Sequence, residues 1–177
     1  YNGSQNAILD LKLEHPNEIL DSLSKNLVTH FTQEGKQTLR DGMDMALCCM
    51  YEKGDKITLE FAGAHNPCWI VKNKSNELIE INASKQPIGY FEDYRPFTNH
   101  ILEVEKGDMI YLFSDGYADQ FGGLKGKKFK YSQLKSLIIH TPLLSIKEKE
   151  ATLINSFLDW KGSYEQLDDV YVLGVKV

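Results

Sequence analysis

The chain has 177 residues, with 20 Lys and Arg against 25 Asp and Glu and a formal net charge of −5. That length suits one ordinary domain and is too short for two well-packed cores, while 42% hydrophobic and 11% aromatic residues exclude a disordered chain. The acidic balance offers no basic field for nucleic acid or an anionic membrane surface, and the longest apolar run, 45–51, falls far short of the roughly 20 residues that span a bilayer.

Residues 4–13 are mixed and read as a helix end or a connecting segment. His15-Pro16-Asn17-Glu18 has the form of a helix start, with Pro in the first turn and an acid beside the positive dipole end. Ile19, Leu20, Leu23, Leu27 and Phe31 follow at helical spacing, and Gln33-Glu34-Gly35 ends that helix. Strands are expected at 45–51 and 56–61, joined by Glu52-Lys53-Gly54-Asp55 as a hairpin turn. Ile57, Leu59 and Phe61 alternate with Lys56, Thr58 and Glu60, which predicts one buried and one wet face. Further strands are expected at 68–72, 78–81, 99–104 and 109–113, with a loop over 84–96 and turns at 74–77 and 105–108. The pattern then becomes helical. Tyr131, Leu134, Leu137 and Ile138 share a face that stops at Pro142, and Ser145 with Glu148 forms a capping box for a helix turning Ala151, Ile154, Phe157 and Leu158 inward. Residues 170–177 form a last strand, so the class is α+β, an antiparallel sheet with helices packed on it.

Two acidic sites stand at strand ends. The apolar run 109–113 leads into Ser114-Asp115-Gly116-Tyr117-Ala118-Asp119, and Leu167-Asp168-Asp169 precedes the terminal strand. Carboxylates fixed at the ends of sheet-adjacent strands make a hard-oxygen site for Mg²⁺ or Mn²⁺. On spacing alone they read first as turn residues.

Those two segments resemble the downstream metal motifs of the metal-dependent (PPM, type 2C-like) protein Ser/Thr phosphatases, and within them the bacterial SpoIIE branch. Supporting segments occur in that branch's order: Asp41-Gly42-Met43-Asp44, Phe61-Ala62-Gly63-Ala64-His65-Asn66-Pro67, Lys85-Gln86-Pro87-Ile88-Gly89 and Gly107-Asp108. The resemblance implies a four-layer α/β/β/α sandwich of antiparallel sheets. It implies Asp115 and Asp168 as ligands of a binuclear Mn²⁺ or Mg²⁺ centre, Asp119 as the ligand of a weaker additional ion or a neighbouring acceptor, and Gly116 and Asp169 as supporting positions. It implies attack of a metal-bridging water on phospho-Ser or phospho-Thr of a regulatory protein. Relatives in this branch commonly act on a phosphorylated anti-sigma-factor antagonist and carry an upstream sensor or helical-repeat region.

The branch's first metal motifs, an upstream acid and an Asp-x-x-Gly-His-Gly-like stretch, are not in this sequence, and the chain opens at Tyr1 rather than Met. Residues 1–177 are therefore read as the C-terminal part of such a domain, missing its N-terminal strands and short of metal ligands. The competing reading is a non-catalytic binding or dimerisation module, and an uncovered sheet edge predicts homodimer contacts.

Gly122-Gly123-Leu124-Lys125-Gly126-Lys127-Lys128 lacks the spacing of a phosphate-binding loop and reads as a mobile surface loop. In the phosphatase reading, Lys125, Lys127 and Lys128 steer a phosphorylated substrate by charge. The five histidines show no ligand spacing, and His65 shapes a turn. Cys48 and Cys49 are expected to be core on one side, Trp69 and Trp160 to be core or helix-docking, and three cysteines without a framework suit a reducing cytoplasm.

Overall fold

The computed structural model describes residues 14–33, 42–141 and 144–177. The expected connecting segment at 4–13, the helix end at Glu34-Gly35, Asp41 and the Pro142 stop lie outside these residues. The chain divides into two compact units, Tyr1–Cys68 with Ile81–Val104, and Trp69–Glu80 with Glu105–Val177.

The first unit is built on helix α1 (Pro16–Gln33) and strands β1 (Gly42–Met43), β2 (Met45–Lys53) and β3 (Lys56–Ala64), and it also holds β6 (Ile88–Gly89) and β7 (His100–Val104). Pro16 opens α1, with Glu18 in its first turn, as the sequence predicts. β2 and β3 pair antiparallel from Met45↔Ala64 to Lys53↔Lys56, so the turn is two residues, Gly54-Asp55, with Gly54 at φ 64°. β7 pairs with the other edge of β3, from Ile57↔Val104 to Phe61↔His100. β1 and β6 form a two-residue ladder that period counting does not show. Leu20, Ala62, Ala64, Ile88 and Phe97 make the core here, with Leu23, Leu27, Met45 and Leu47 packed against it. Ser24 bonds both backbone groups of Gly89 at 3.1 Å, which ties α1 to β6.

The expected wet face of β3 fails at Glu60. It is 3% exposed, because β3 is the central strand and is buried on both faces from Leu59 to Ala64. Its carboxylate is satisfied by His15 Nδ1 at 2.7 Å, Tyr51 Oη at 2.8 Å and Asn99 Nδ2 at 2.8 Å. Burial of the carboxylate raises its pKa, but those bonds outweigh it and hold Glu60 below the ordinary value, while Glu60 lifts His15. Cys48 and Cys49 are half-buried rather than core on one side, and the Cys48 thiol is hydrogen-bonded to that of buried Cys68.

The second unit carries the sheet β11-β8-β4-β5, from β4 (Cys68–Val71), β5 (Leu78–Ile81), β8 (Met109–Phe113) and β11 (Val172–Lys176). β11 is shorter than expected and pairs antiparallel with β8 from Val172↔Phe113 to Lys176↔Met109. A short helix α2 (Gly116–Asp119), a hairpin of β9 (Phe121–Gly122) and β10 (Lys127–Lys128), and helices α3 (Tyr131–Ile139) and α4 (Ile146–Lys161) complete it. Trp69, Tyr111, Phe113, Tyr117, Phe129 and Phe157 dominate the core, with Trp69 edge-on to Phe113 at 4.4 Å between ring centroids. Trp160 docks α4 edge-on against Phe129 at 5.4 Å. Burial pushes the Tyr117 phenol up to about 12, and it donates to Leu153 O at 2.8 Å.

The Ser145–Glu148 capping box forms as expected. The inward face of α4 does not follow the expected residues. Phe157 is buried and Leu153 and Trp160 pack on the core, but Ala151 is exposed and Ile154 and Leu158 are 51% and 52% exposed. Phe157 is common to the expected and observed faces, and the stripe packed on the core runs through Leu153, Phe157 and Trp160.

The turn between β7 and β8 depends on Asp108, which is 1% exposed. It takes an ion pair from Lys72 and backbone N–H bonds from Asn73 and Glu105, each at 2.9 Å. Burial alone raises its pKa, but these donors hold it below the usual carboxylate value.

Candidate functional site

β8 delivers Ser114 and Asp115 to the end of the second unit's sheet, and β11 begins at Val172, three residues after Asp169. Ser114 fastens the two segments together. Its Oγ donates to Asp169 O at 2.8 Å and accepts from Tyr171 N at 3.2 Å, and its backbone N–H donates to Tyr171 O at 3.2 Å. Gly116 is needed for the same approach: a Cβ there would lie 2.4 Å from Asp169 O. The two acidic segments expected to share a site are thus joined backbone to backbone.

Asp115 occupies the N-cap position of α2 with φ −70° and ψ −20° and no side-chain capping bond, and its carbonyl accepts from Asp119 N at 2.8 Å. Asp119 and Asp168 line one cavity of about 190 Å³ together with Gly116, Gln120 and Lys128. Asp168 Oδ1 accepts from Asp169 N at 2.8 Å, which orients the carboxylate. Asp169 contributes through its backbone carbonyl and N–H. Asp119 Oδ2 is 2.7 Å from Lys128 Nζ.

The lysines separate. Lys128 reaches the cavity, whereas Lys125 and Lys127 are exposed and do not line it. The glycine-rich segment is a hairpin rather than a mobile loop, with Gly122 and Phe121 paired to Lys127 and Lys128. Gly122 and Gly123 let it lie against Trp160, and Gly123 N donates to Trp160 O at 2.8 Å. Two contributors escaped sequence reasoning. Ser114 carried a signal, its place beside Asp115 at a strand end. Gln120 carried none; it is 4% exposed and bonds Phe121 O and Glu165 O, closing the cavity's floor.

In kind, the donors fit a hard divalent cation, since the acidic side chains on the cavity offer carboxylate oxygens and no thiol or imidazole lines it. In number they supply part of a coordination shell: among the described residues no three His, Cys, Asp or Glu side chains cluster to hold an ion. A second, apolar groove of about 380 Å³, lined by Tyr111, Tyr117, Ile154, Phe157 and Val172, lacks such a carboxylate pair. In the first unit, His65 Nδ1 meets Asp44 at 2.8 Å and His65 adopts φ 58°, the turn role expected of it.

The model of the SpoIIE family, Stage II sporulation protein E, matches residues 4–177. The chain belongs to the SpoIIE family. Phosphoserine phosphatase RsbU of Bacillus subtilis (strain 168) is 29% identical over 108 residues, covering 59% of this chain and 29% of RsbU. The SiaA-PP2C domain of Pseudomonas aeruginosa superposes with a TM-score of 0.84 at 21% identity, covering 99% of this chain and 66% of that one. The phosphatase domain of the cell fate determinant SpoIIE from Bacillus subtilis, presoaked with Mn, matches with a TM-score of 0.57 at 15% identity over 93% of this chain and 73% of its own. The catalytic domain of the serine/threonine protein phosphatase PstP, in complex with two manganese ions, matches with a TM-score of 0.52 at 16% identity, covering 88% and 66%. The expected family and fold class therefore hold: this is a PP2C-type phosphatase fold, mixed α and β with antiparallel sheets. The chain spans less than a third of RsbU and 66% of the SiaA-PP2C chain.

Proposed function

We propose that residues 1–177 are the C-terminal part of a SpoIIE-type phosphatase domain, whose parent protein hydrolyses phospho-Ser or phospho-Thr on a regulatory protein using Mn²⁺ or Mg²⁺. The joining of the Asp115 and Asp168 segments through Ser114 and Gly116 carries this reading. Asp115 and Asp168 hold the cation, and Asp119 serves an additional ion or accepts beside it. A bound Mn²⁺ or Mg²⁺ would supply a water of lowered pKa and neutralise phosphoryl oxygens. Ser114 fixes the separation of the two acidic segments, Gly116 allows it, and Asp169 turns Asp168 through its backbone N–H. Lys128, with Lys125 and Lys127 further out, draws a phosphorylated side chain toward the cavity by charge. The ligands that complete the shell come from outside this chain's described residues.

The name of one relative supports the substrate chemistry: RsbU is a phosphoserine phosphatase. The substrate class we propose is a phosphorylated anti-sigma-factor antagonist, with an upstream sensor or helical-repeat region controlling the parent protein. No helix of the described residues is long and apolar enough to cross a membrane, and we place the protein in the cytoplasm. The sparse ligand set among the described residues favours one second reading, a non-catalytic binding or dimerisation module. Mn²⁺-dependent hydrolysis of p-nitrophenyl phosphate by this chain and by an N-terminally extended protein separates the two. The phosphatase reading expects turnover in the extended protein that Asp115→Asn abolishes. Turnover in neither protein, or turnover that survives Asp115→Asn, overturns it.

A further inference from the structure

We propose that Lys128 is an internal counter-ion that occupies the Asp119 carboxylate, so that a divalent cation binds there by displacing a lysine ammonium. This deepens the phosphatase reading and rests on it. Lys128 Nζ lies 2.7 Å from Asp119 Oδ2, and both residues line the 190 Å³ cavity with Asp168. The ammonium is brought there by the backbone rather than by the reach of a free loop. β10 is fixed against β9 by the Lys128↔Phe121 pair, Phe129 N donates to Gln120 O at 3.0 Å, and Lys130 N donates to Ala118 O at 2.7 Å. Those last two bonds hold the hairpin on the C-terminal end of α2, the helix that carries Asp119. Lys127 precedes it on the same strand, and neighbouring strand residues point to opposite faces, which leaves Lys128 as the lysine on the cavity.

Each partner of the pair is nearly half exposed, Lys128 at 46% and Asp119 at 45%, so an incoming cation reaches the carboxylate without unfolding the hairpin. Exposed pairs of this kind are individually weak. A fixed ammonium at contact distance also repels a dication, and water screens most of that repulsion. The two effects act together, and removing the charge should tighten Mn²⁺ binding by about three- to tenfold.

The test is Mn²⁺ titration of the N-terminally extended protein, followed by the EPR signal of free Mn²⁺. Lys128→Met removes the charge and keeps the stem, Lys128→Arg keeps the charge, Lys127→Met removes a neighbouring charge off the cavity, and Asp168→Asn removes a proposed ligand. The expected result is tighter binding in Lys128→Met alone, binding near wild type in Lys128→Arg and Lys127→Met, and loss in Asp168→Asn. In an Asp119→Asn background, Lys128→Met should tighten binding by less than in wild type, since only the screened repulsion remains once the carboxylate it competes for is gone. Equal binding in wild type and Lys128→Met, with loss in Asp168→Asn, overturns this inference and leaves the metal reading standing. No saturable binding in any variant overturns both.

Discussion

Gly116→Ala tests the joint on which the site rests. The added methyl would lie 2.4 Å from Asp169 O, 3.1 Å from Asp169 C and 3.2 Å from Val170 Cγ2. The nearest obstacle is backbone, so relief requires the 168–170 segment to move by about 1 Å to reach ordinary contact. That carbonyl oxygen also accepts from Ser114 Oγ, and the same shift stretches the bond. Overpacking of this kind costs about 1–3 kcal/mol, and a weakened hydrogen bond adds about 1 kcal/mol. Alanine's stiffer unfolded chain returns about 0.4–1 kcal/mol. The net loss is about 1–3 kcal/mol, a fall in Tm of several degrees for a chain of this length, read by urea and thermal unfolding. Gly174→Ala is the control, since its methyl meets Tyr111 Cε1 at 3.3 Å and Met109 Cε and Tyr111 Cδ1 at 3.6 Å, all side-chain atoms rather than backbone. A Gly116→Ala protein as stable as wild type, with Mn²⁺ affinity intact, refutes the close approach of the two acidic segments.

Three further outcomes follow from the packing. Asp108→Ala leaves Lys72 and two backbone N–H groups without their acceptor and should cost about 3–5 kcal/mol, read by chemical denaturation. The Glu60 cluster sets a pH dependence with two limbs. Glu60's lowered pKa contributes stability that is complete above about pH 4.5 and is lost as pH falls through the folded value. His15's raised pKa contributes stability that is complete below about pH 6.5 and is lost as pH rises through the folded value. Glu60→Gln should lower Tm and flatten both limbs in a Tm-against-pH series; limbs unchanged by the substitution count against the cluster. Ser145→Ala removes a formed capping box and should cost about 1 kcal/mol, checked by thermal unfolding.

The features legible in the sequence are those set by local chemistry. Pro16 and Ser145 mark helix starts through capping, Gly54 and Gly107 mark turns through positive φ, and the apolar run before Asp115 announces a strand that ends on a carboxylate. What escaped depends on partners far along the chain. Glu60 looks like a solvent-facing strand residue until His15 and Asn99, 45 and 39 residues away, come to it. The face of α4 turns on Trp160 meeting Phe129, and β1 finds β6 across more than forty residues. At the site, Asp115, Asp119 and Asp168 were singled out by the family resemblance, since carboxylates at strand ends read as readily as turn residues. Lys128 was readable as a charge, but its pairing with Asp119 depends on a two-residue hairpin ladder too short to carry a periodic signal.

Whether Asp115 and Asp168 work as one centre is decided by Mn²⁺-dependent phosphate release from a phosphoserine peptide by the N-terminally extended protein. Residues that act as a unit are non-additive. Asp115→Asn and Asp168→Asn should each abolish nearly all turnover, and the double variant should be no worse than either. Substantial activity in either single variant, or losses that multiply in the double, would contradict the shared centre.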